Sequence, residues 1–498
     1  MGRAEKSHRI KPRRIKGFRD LTAAEVRARD RMIAQVRAVY ERYGFVPLET
    51  PALEYVDALG KFLPESDLPD AGIYALRDEK EEWIGLRYDL TAPLSRYVAM
   101  NPDLPRPYRR YQVGPVYRVE KPGPDRFREF YQFDFDTVGT GSMLADAECC
   151  MIMCDTLEAV GVARGKYMVR VNDRKVLTGV LENLTGGDVA SERSLQILRS
   201  IDKLDRVGLA GVRELLGKGR RDESGAFVTG LQLREDQIEV VAGCLSIAAG
   251  RGPEFLAGLK AVVGESQTGG EGVDELRQID EALTAAGFGA DRVVIDPTVV
   301  RGLAYYTGPV FEAALTFDVV GPDGEKRQFG SVFGGGRYDG LVERFTGQEM
   351  PATGASIGVD RLLAALHILG KVEVSATTAR VLVTRLDKAL SAEYTRLAAE
   401  LRAGGINAEL YVGTQGIAKQ FKYASDSGKT VCVIVGADEL ARNEVSIKDL
   451  RLGDELSRDI GADRKKWLEE QPAQFTVPRT ELVAAVSRVI QRYESRDG

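Results

Sequence analysis

The chain has 498 residues, of which 44% are hydrophobic and 29% charged, so it has the composition of a globular protein and enough length for several separately cored domains. Its net charge of −5 excludes a global positive field, and any contact with nucleic acid must depend on local basic patches. The five cysteines lack zinc-site spacing, no apolar segment approaches a membrane span, and no secretory signal is recognisable, so we expect a cytoplasmic protein with free thiols, no metal site and no membrane partner.

The chain begins with a basic stretch between Arg9 and Arg19, which is either a local RNA-binding patch or a solvated terminus. Thr22 and Glu25 then have the spacing of a capping box, and Gly44 should end the helix that follows. Aromatic and β-branched residues farther on predict a long hairpin with a mobile tip. The elements predicted within residues 1–173 are helices 22–43 and 145–160 and strands 45–50, 83–90, 108–117, 129–137 and 168–172.

The pattern changes over residues 174–290, where helices broken by polar, glycine-rich joints such as 264–273 predict a helical insertion. Strands return over residues 291–372. They are predicted at 292–295, 309–317 and 327–332, before a glycine run at 334–336 and a helix over 358–368.

Strands alternate with helices over residues 375–498, which predicts a small α/β domain with a mostly parallel sheet. Its predicted strands are 380–384, 407–411, 430–435 and 444–449, and its predicted helices are 391–403, 417–427 and an amphipathic tail at 480–494.

The predicted hairpin carries polar side chains on a strand that should be half buried. Arg118 and Glu120 end its first strand, and the residues sharing one face of its second strand are Arg126, Arg128, Phe130 and Gln132. Guanidinium groups bind phosphate oxygens, an aromatic ring stacks on a base, and a carboxylate accepts from an exocyclic amine. The hairpin is therefore either a nucleotide-binding surface or a solvated, salt-bridged hairpin.

Two glycine-rich segments follow the insertion, 301–308 and 354–361, and neither matches a P-loop or a dinucleotide fingerprint. Arg361 lies at the apolar start of a helix, where a buried cation requires a ligand or an acidic partner. The glycine run before Tyr338 allows the backbone to approach a ligand, or else it forms a tight turn after a strand.

Taken together, these segments resemble the three motifs of class II aminoacyl-tRNA synthetases. The first helix, with the strand that ends at Pro51, resembles the first motif. The hairpin around Arg118 and Glu120 resembles the second motif, and the glycine-rich run that ends at Arg361 resembles the third. Segments 301–308 and 335–341 resemble two signatures of the histidyl-tRNA synthetase family.

Two further segments, 87–91 and 419–424, resemble the amino-acid loop and the anticodon domain of that family. The resemblance extends from Lys16 to about Asp454. It implies an α+β catalytic domain with an antiparallel sheet flanked by helices, a helical insertion and a C-terminal α/β anticodon-binding domain. The implied domains are 1–173 and 291–372 for the catalytic domain, 174–290 for the insertion and 375–498 for the anticodon-binding domain with its tail.

For ATP, the resemblance implies that Arg118 binds the α-phosphate and the histidine carboxylate, and that Arg301 is the catalytic arginine on the other side of that phosphate. Two fixed cations stabilise the charge that develops on the phosphate oxygens during attack. ATP is expected with Mg²⁺, without a tightly bound cofactor. The implied ATP-binding residues are Arg118, Glu120 at the adenine amine, Phe130 and Arg361 on either side of the ring, Arg126 and Arg361 near the γ-phosphate, and Arg128.

For histidine, the resemblance implies one group of residues at the α-amino nitrogen and another around the side chain. A carboxylate and a phenol pair with the two imidazole nitrogens, and other side chains leave these buried groups unpaired. The implied histidine-binding residues are Asp89, Thr91 and Gln132 at the amino group, Asp136, Tyr305, Tyr306 and Tyr338 at the side chain, and Arg118 and Arg301.

Two positions depart from the family pattern. Ala304 stands where many relatives carry an acidic residue, so a local hydrogen bond or ion pair is missing or replaced. The hairpin tip, residues 121–125, differs from the tip common in bacterial relatives, which inspects the acceptor end of the tRNA.

The implied activity is ligation of L-histidine to tRNA(His) at the expense of ATP, by a homodimer that pairs through the first helix and the strand to Pro51. The alternative is a non-catalytic paralogue, the regulatory subunit of ATP phosphoribosyltransferase. Such chains generally lose motif arginines and lack an anticodon domain. This chain retains Arg118, Arg126, Arg301 and Arg361. Another class II synthetase is disfavoured by the two signatures, and a simple RNA-binding protein leaves the nucleotide-binding residues unexplained.

Overall fold

The structure is a computed structural model, and it describes residues 10–60, 72–121, 127–185, 192–222, 225–300, 306–320, 326–372, 377–459 and 473–497. The chain divides into two compact units. The first contains Met1–Asp20 and Arg29–Val372, and the second contains Leu21–Ala28 and Glu373–Gly498. Within the described ranges, no helix has both the length and the apolar character needed to cross a membrane.

An eight-stranded sheet forms the centre of the first unit. Its strands in spatial order are β1 (Val46–Pro47), β5 (Tyr108–Tyr117), β6 (Glu129–Val138), β13 (Ala352–Gly358), β12 (Lys326–Arg337), β11 (Pro309–Val320), β7 (Tyr167–Asp173) and β10 (Val293–Ile295). Neighbouring strands pair antiparallel except at the two edges, where β1 with β5 and β10 with β7 are parallel. The predicted antiparallel sheet is confirmed.

One face of this sheet is apolar because alternate residues of each strand point to the same side. Phe133 and Phe135 of β6 are fully buried, and with Ile357 of β13 they join a core with helices α1 (Ala23–Arg42) and α4 (Met143–Ala159). Full burial of one such side chain contributes about 1.5–3 kcal/mol. This face therefore holds the sheet and the helices together.

Helix α1 begins and ends at the predicted signals. The Thr22 backbone N–H donates to the Glu25 carboxylate at 2.7 Å, and the Glu25 N–H donates to the Thr22 hydroxyl at 3.4 Å, which forms the expected capping box. Gly44 follows the helix with a φ of 80°, a left-handed conformation that favours glycine.

A small sheet adjoins the large one, in the order β2 (Leu53–Tyr55), β4 (Trp83–Leu86) and β3 (Ala75–Arg77), with helices α2 (Val56–Leu59) and α3 (Thr91–Met100). The strand predicted over 83–90 ends earlier, at Leu86. Arg87 turns inward there and donates to the carbonyls of Thr50 at 2.7 Å and Pro115 at 2.9 Å. Burial lowers the pKa of Arg87.

Between β7 and β10 the chain is mostly helical. Its helices are α5 (Arg174–Thr185), α6 (Glu192–Ile201), α7 (Leu204–Leu216), α8 (Glu235–Leu245), α9 (Pro253–Val263) and α10 (Gln267–Ala285), with a two-stranded hairpin of β8 (Gly219–Arg221) and β9 (Phe227–Thr229) that the sequence did not predict. Helix α5 lies between two cores. Val176 and Val180 belong to the core of the large sheet, whereas Leu177 and Leu181 belong to a separate core with α6, α7 and α8.

The predicted joint over 264–273 is wrong over most of its length, because α10 begins at Gln267. The Ser266 hydroxyl caps this helix by accepting from the Gly269 N–H at 2.9 Å. A Cβ atom on Gly179 of α5 would lie 2.5 Å from the Gly269 Cα atom, so glycine on both helices allows their backbones to approach closely. These glycines therefore serve helix packing instead of breaking the helix.

The second half of the large sheet differs from the sequence prediction in two places. The strand predicted over 327–332 runs on to Arg337, so the glycine run lies inside β12 and does not form a turn. Strand β13 was not predicted at all. The chain then continues through α11 (Glu343–Thr346) before β13 and α12 (Val359–Ile368) after it.

The second unit contains a five-stranded sheet in the order β15 (Ala408–Leu410), β14 (Val381–Val383), β16 (Val431–Ile434), β17 (Glu444–Asp449) and β18 (Gln474–Pro478). Its helices are α13 (Ser391–Ala403), α14 (Ile417–Asp426), α15 (Ala437–Ala441), α16 (Leu450–Asp459) and α17 (Leu482–Asp497). The α/β class is confirmed, but the sheet is not mostly parallel. Strands β14, β15 and β16 pair in parallel, whereas β17 and β18 pair antiparallel.

Candidate active site

The face of the large sheet opposite its apolar core is polar. Gln132, Asp134 and Asp136 alternate along β6 with the buried phenylalanines, so they share this face. Across the neighbouring strands, Asp136 pairs with Arg110 and Gly354. Charged groups therefore lie side by side in a buried floor.

Glycines make room above this floor. A Cβ atom on Gly354 would lie 2.3 Å from Asp136 Oδ1, and one on Gly336 would lie 2.8 Å from the Tyr306 ring. Side chains at either position would displace a neighbour that the sequence predicts at the histidine site. The glycines are thus required for close approach, as their clustering suggested.

The hairpin of β5 and β6 holds Arg118 beside the loop that precedes α3. The Arg118 Nε atom donates to the Tyr88 carbonyl at 3.1 Å, and its guanidinium lies 5.1 Å from the centroid of the Phe130 ring. Glu120 is exposed, and its carbonyl accepts from Arg128 Nε at 3.0 Å. The half-buried Arg118 is therefore oriented by a backbone carbonyl and an aromatic ring, and among the described residues no carboxylate bonds to it.

At the start of α12, Asp360 connects three segments. Its carboxylate accepts from the Tyr131 N–H at 2.7 Å and forms an ion pair with Arg19. The neighbouring Arg361 is exposed, so the expectation of a buried cation is wrong. Its side chain leaves the apolar helix surface, and the guanidinium donates to the Phe329 carbonyl at 2.8 Å.

The amino-acid loop is fixed by its own aspartate. Asp89 Oδ1 accepts from the backbone N–H groups of Thr91 at 3.1 Å and Ala92 at 2.9 Å, which are at the start of α3. Nearby, the Gln132 side-chain amide donates to the Ser356 hydroxyl at 2.8 Å. These contacts set the orientation of two residues predicted at the α-amino group.

Asp136 is the centre of a buried network. The Tyr338 hydroxyl donates to Asp136 Oδ1, and Arg110 Nη2 lies 2.9 Å from Asp136 Oδ2. Burial raises the pKa of Asp136, while Arg110 and the Tyr338 hydroxyl oppose that shift. Burial also raises the pKa of Asp134 to about 7, with Arg110 opposing the shift and Asp136 adding to it.

A second buried arginine anchors the segment that carries Tyr338. Arg337 forms an ion pair with Asp146 of α4 and donates to the carbonyls of Thr140 at 3.0 Å and Ser142 at 3.3 Å. Burial raises the pKa of Asp146 to about 6, although Arg337 opposes this shift. The segment is therefore fixed to the start of α4 by several hydrogen bonds.

The structure brings most of the predicted site residues to this polar face and its rim, but it leaves some outside the described residues. Those outside are Arg126, Arg301, Tyr305, Ala304 and the hairpin tip from Pro122 to Asp125. Sequence reasoning missed Arg110, Asp134 and the supporting pair Arg337–Asp146. Asp134 lies between Gln132 and Asp136, two residues from each, so strand alternation would have placed it on the same face.

The cysteines lie outside this site. The five cysteines are free and buried, as predicted. In the part of the chain that the structure describes, no group of three or more histidine, cysteine, aspartate or glutamate side chains is arranged to hold a metal ion.

Comparison with known proteins matches these features. The histidyl-tRNA synthetase family matches residues 17–362, and an anticodon-binding domain family matches residues 380–488. The chain is 52% identical over 505 aligned residues to the histidine–tRNA ligase of Ruegeria sp. (strain TM1040), with 100% of both chains covered.

Solved structures agree with this match. Histidyl-tRNA synthetase from Nostoc sp. PCC 7120 is 30% identical with a TM-score of 0.73, over 96% of this chain and 100% of that one. An ATP phosphoribosyltransferase regulatory subunit/histidyl-tRNA synthetase from Bacillus halodurans C shares the fold at 22% identity and a TM-score of 0.65, over 83% of this chain and 97% of that one. The chain belongs to the histidyl-tRNA synthetase family, with a class II catalytic domain followed by an anticodon-binding domain.

Proposed function

We propose that this chain activates L-histidine with ATP and transfers it to the 3′ end of tRNA(His). In the first step, a histidine carboxylate oxygen attacks the α-phosphorus of ATP and pyrophosphate leaves. In the second step, a ribose hydroxyl of the tRNA attacks the carbonyl carbon of the adenylate and AMP leaves. The observation that carries this proposal is the buried contact between Asp136 and Tyr338, in a chain that matches histidine–tRNA ligases over its full length.

The histidine site is proposed on the polar face of the sheet. Asp136 accepts from an imidazole N–H, and the tyrosine hydroxyls complete the pairing of the ring nitrogens. Asp89, Thr91 and Gln132 receive the α-ammonium group, for which an acidic and polar set is suited. The tyrosines in question are Tyr305, Tyr306 and Tyr338.

The ATP site is proposed along the hairpin and the start of α12. Arg118 and Arg301 flank the α-phosphate and stabilise the negative charge that develops on its oxygens during attack. No side-chain nucleophile is required, because the substrate carboxylate attacks. ATP is used as its Mg²⁺ complex, since the metal neutralises the β- and γ-phosphates. The other residues proposed at ATP are Glu120, Arg126, Arg128, Phe130 and Arg361.

The separation of Phe130 from Arg361 bears on this proposal. In the structure Phe130 faces Arg118, whereas Arg361 lies 5.7 Å from the centroid of the Phe329 ring. Arg361 is exposed at the start of α12, and its long side chain can extend from the helix toward an adenine ring. We therefore keep Arg361 as an adenine-binding residue.

We further propose that residues 1–173 and 291–372 form the catalytic domain, residues 174–290 the insertion and residues 375–498 the anticodon-binding domain. The protein acts in the cytoplasm as a homodimer, which pairs through α1 and the strand before Pro51. Light scattering tests the dimer, and a stable active monomer would refute it.

Histidine-dependent exchange of pyrophosphate into ATP tests the activity. We expect histidine alone among the amino acids to support exchange, because only an imidazole satisfies both Asp136 and the tyrosines. Comparable exchange with glycine, threonine or proline would refute the specificity. Absence of exchange with every amino acid, despite binding of ATP, would favour the regulatory-subunit reading.

A further inference from the structure

Arg110 is a buried guanidinium in the floor of the proposed histidine site, and no role has yet been assigned to it. We infer that Arg110 is a positioning and specificity residue, which keeps Asp136 in its ionised, hydrogen-bond-accepting form and ties it to the amino-acid loop. This inference rests on the proposed function, because it concerns how the same site selects histidine.

The geometry of Arg110 connects two parts of the site through one nitrogen atom. Its side chain is 0% exposed, Nη2 lies 2.9 Å from Asp136 Oδ2, and the same Nη2 donates to the Leu90 carbonyl at 2.9 Å. Leu90 lies between Asp89 and Thr91 in the amino-acid loop. A single side chain therefore connects the carboxylate proposed at the imidazole with the loop proposed at the α-amino group.

The hydrogen bonding of Arg110 is incomplete, so the paired carboxylate of Asp136 has to compensate its buried charge. Among the described residues, neither Nε nor Nη1 of Arg110 has a hydrogen-bond partner. A buried cation is stable only with an ionised partner nearby. Because Asp136 is the carboxylate paired with it, at least one negative charge is retained there.

Several titratable groups face this pair, and they divide between the two sides of the sheet. On the polar side, Asp134 shares the strand, Asp89 raises the pKa of Asp136 from the loop, and the Tyr338 hydroxyl lowers it. On the apolar side, the groups that interact electrostatically with Asp136 are Tyr40 of α1 and Cys149 of α4. Arg110 is the cation that offsets burial of Asp136, so its removal raises the pKa of that carboxyl.

The form of Asp136 decides which substrate fits. An ionised carboxylate accepts a hydrogen bond from the imidazole N–H, whereas a carboxylic acid presents a proton to it. Loss of the Arg110 charge thus weakens histidine binding at low pH. As the pH rises through the raised pKa, Asp136 regains its charge and binding recovers.

Arg110→Met tests this inference, with Arg109→Met as the matched control. Arg109 directly precedes Arg110 on the same strand and points to the other face, where it pairs with Glu148 at 2.6 Å. We expect the histidine KM for pyrophosphate exchange to rise roughly tenfold or more in Arg110→Met at neutral pH, as for loss of one partner of a buried ion pair. The ATP KM should stay unchanged in both variants.

The pH profile distinguishes positioning from a general structural defect. As the pH rises, the histidine KM of Arg110→Met should fall back toward the wild-type value, while that of Arg109→Met should follow the wild type. Arg110→Lys, which keeps the charge, should rescue most of the affinity with a flat profile. Isothermal titration with histidine alone should show the same order of affinities.

The outcomes separate this inference from the proposed function. Wild-type protein without histidine-dependent exchange would refute the proposed function and, with it, this inference. Wild-type exchange with equal histidine KM values and equal pH profiles in Arg110→Met and Arg109→Met would overturn the role of Arg110 alone. If Arg110→Met does not fold, Arg110→Gln, which loses the charge but keeps a polar side chain, decides: a rise in histidine KM larger than that in ATP KM supports the role, and equal changes overturn it.

Discussion

The two faces of the eight-stranded sheet carry opposite kinds of side chain within the same strand. In β6, Phe133 and Phe135 pack into the apolar core, while Gln132, Asp134 and Asp136 line the polar floor. Alternate residues of one strand therefore either pack into the core or line the proposed histidine site. Substitutions at adjacent positions should consequently differ in what they damage, and the following experiments test how complete that separation is.

Phe133→Ala should have the largest effect on stability. It removes a fully buried ring from the apolar core, so we expect the free energy of unfolding to fall by about 3–5 kcal/mol. Chemical denaturation measures this change, and the histidine KM of the folded fraction should be unaltered. The control is Phe227→Ala, whose side chain is 58% exposed and whose loss should cost within about 0.5 kcal/mol. Similar losses for both variants would contradict the importance of this face.

Arg301→Ala should have the largest effect on chemistry. Loss of one transition-state cation should slow adenylate formation by on the order of 10²-fold, with histidine affinity and stability largely retained. Stopped-flow adenylation measures the rate, and titration and scanning calorimetry measure the histidine affinity and the stability. Arg164→Ala, a surface arginine paired with Glu158 at 3.0 Å, is the control. A near-wild-type rate in Arg301→Ala would remove this residue from the catalytic set.

Gly354→Ala should affect the stability of the fold and the proposed histidine site together. Its Cβ atom would lie 2.3 Å from Asp136 Oδ1 and 2.4 Å from the Phe135 carbonyl oxygen, so both stability and histidine binding should suffer. We expect a loss of about 1–3 kcal/mol in unfolding free energy together with a raised histidine KM. At Gly141 an added Cβ has no neighbour within 4 Å, and Gly141→Ala should change neither quantity. An effect of Gly354→Ala on stability alone would show that the close approach of Gly354 to Asp136 does not influence histidine binding.

Tyr338→Phe should have the smallest effect. It removes the hydroxyl that bonds to Asp136, and the histidine KM should rise roughly tenfold. Because this hydroxyl lowers the pKa of Asp136, the defect should be larger at low pH and smaller at high pH. Tyr423→Phe removes a comparable tyrosine–carboxylate bond, to Glu409 in the second unit, and should leave the histidine KM unchanged. An equal rise in histidine KM in the two variants would show that the effect of Tyr338→Phe does not arise from its contact with Asp136.

Much of the fold was accessible from the sequence because periodicity and capping agreed with tertiary packing, as at Thr22 and along the long hairpin. Strand β13 was missed for a physical reason. Among its seven residues, Ala352–Gly358, only Thr353 and Ile357 are β-branched, so its local preference for a strand is weak. Pairing with β6 on one side and β12 on the other fixes its conformation instead.

The site was predictable where a polar residue had an unexpected position on a strand, and less so where two candidates were adjacent. Arg109 and Arg110 follow one another, and alternation requires that they point to opposite faces without saying which one points to the site. The structure shows Arg109 at Glu148 and Arg110 at Asp136. Only the packing of α4 against one side of the sheet decides between them.

Helix α5 has a consequence for how the insertion could be exchanged or removed. Its residues Val176 and Val180 belong to the core of the catalytic sheet, and Leu177 and Leu181 to that of the insertion. A deletion beginning at Arg174 would therefore remove part of the core of the catalytic sheet together with the insertion. Leu259 of α9 and Leu276 of α10 also belong to the core of the catalytic sheet, so the segment that can be detached with least damage lies between α5 and α9. The boundary between the two cores runs lengthwise along α5.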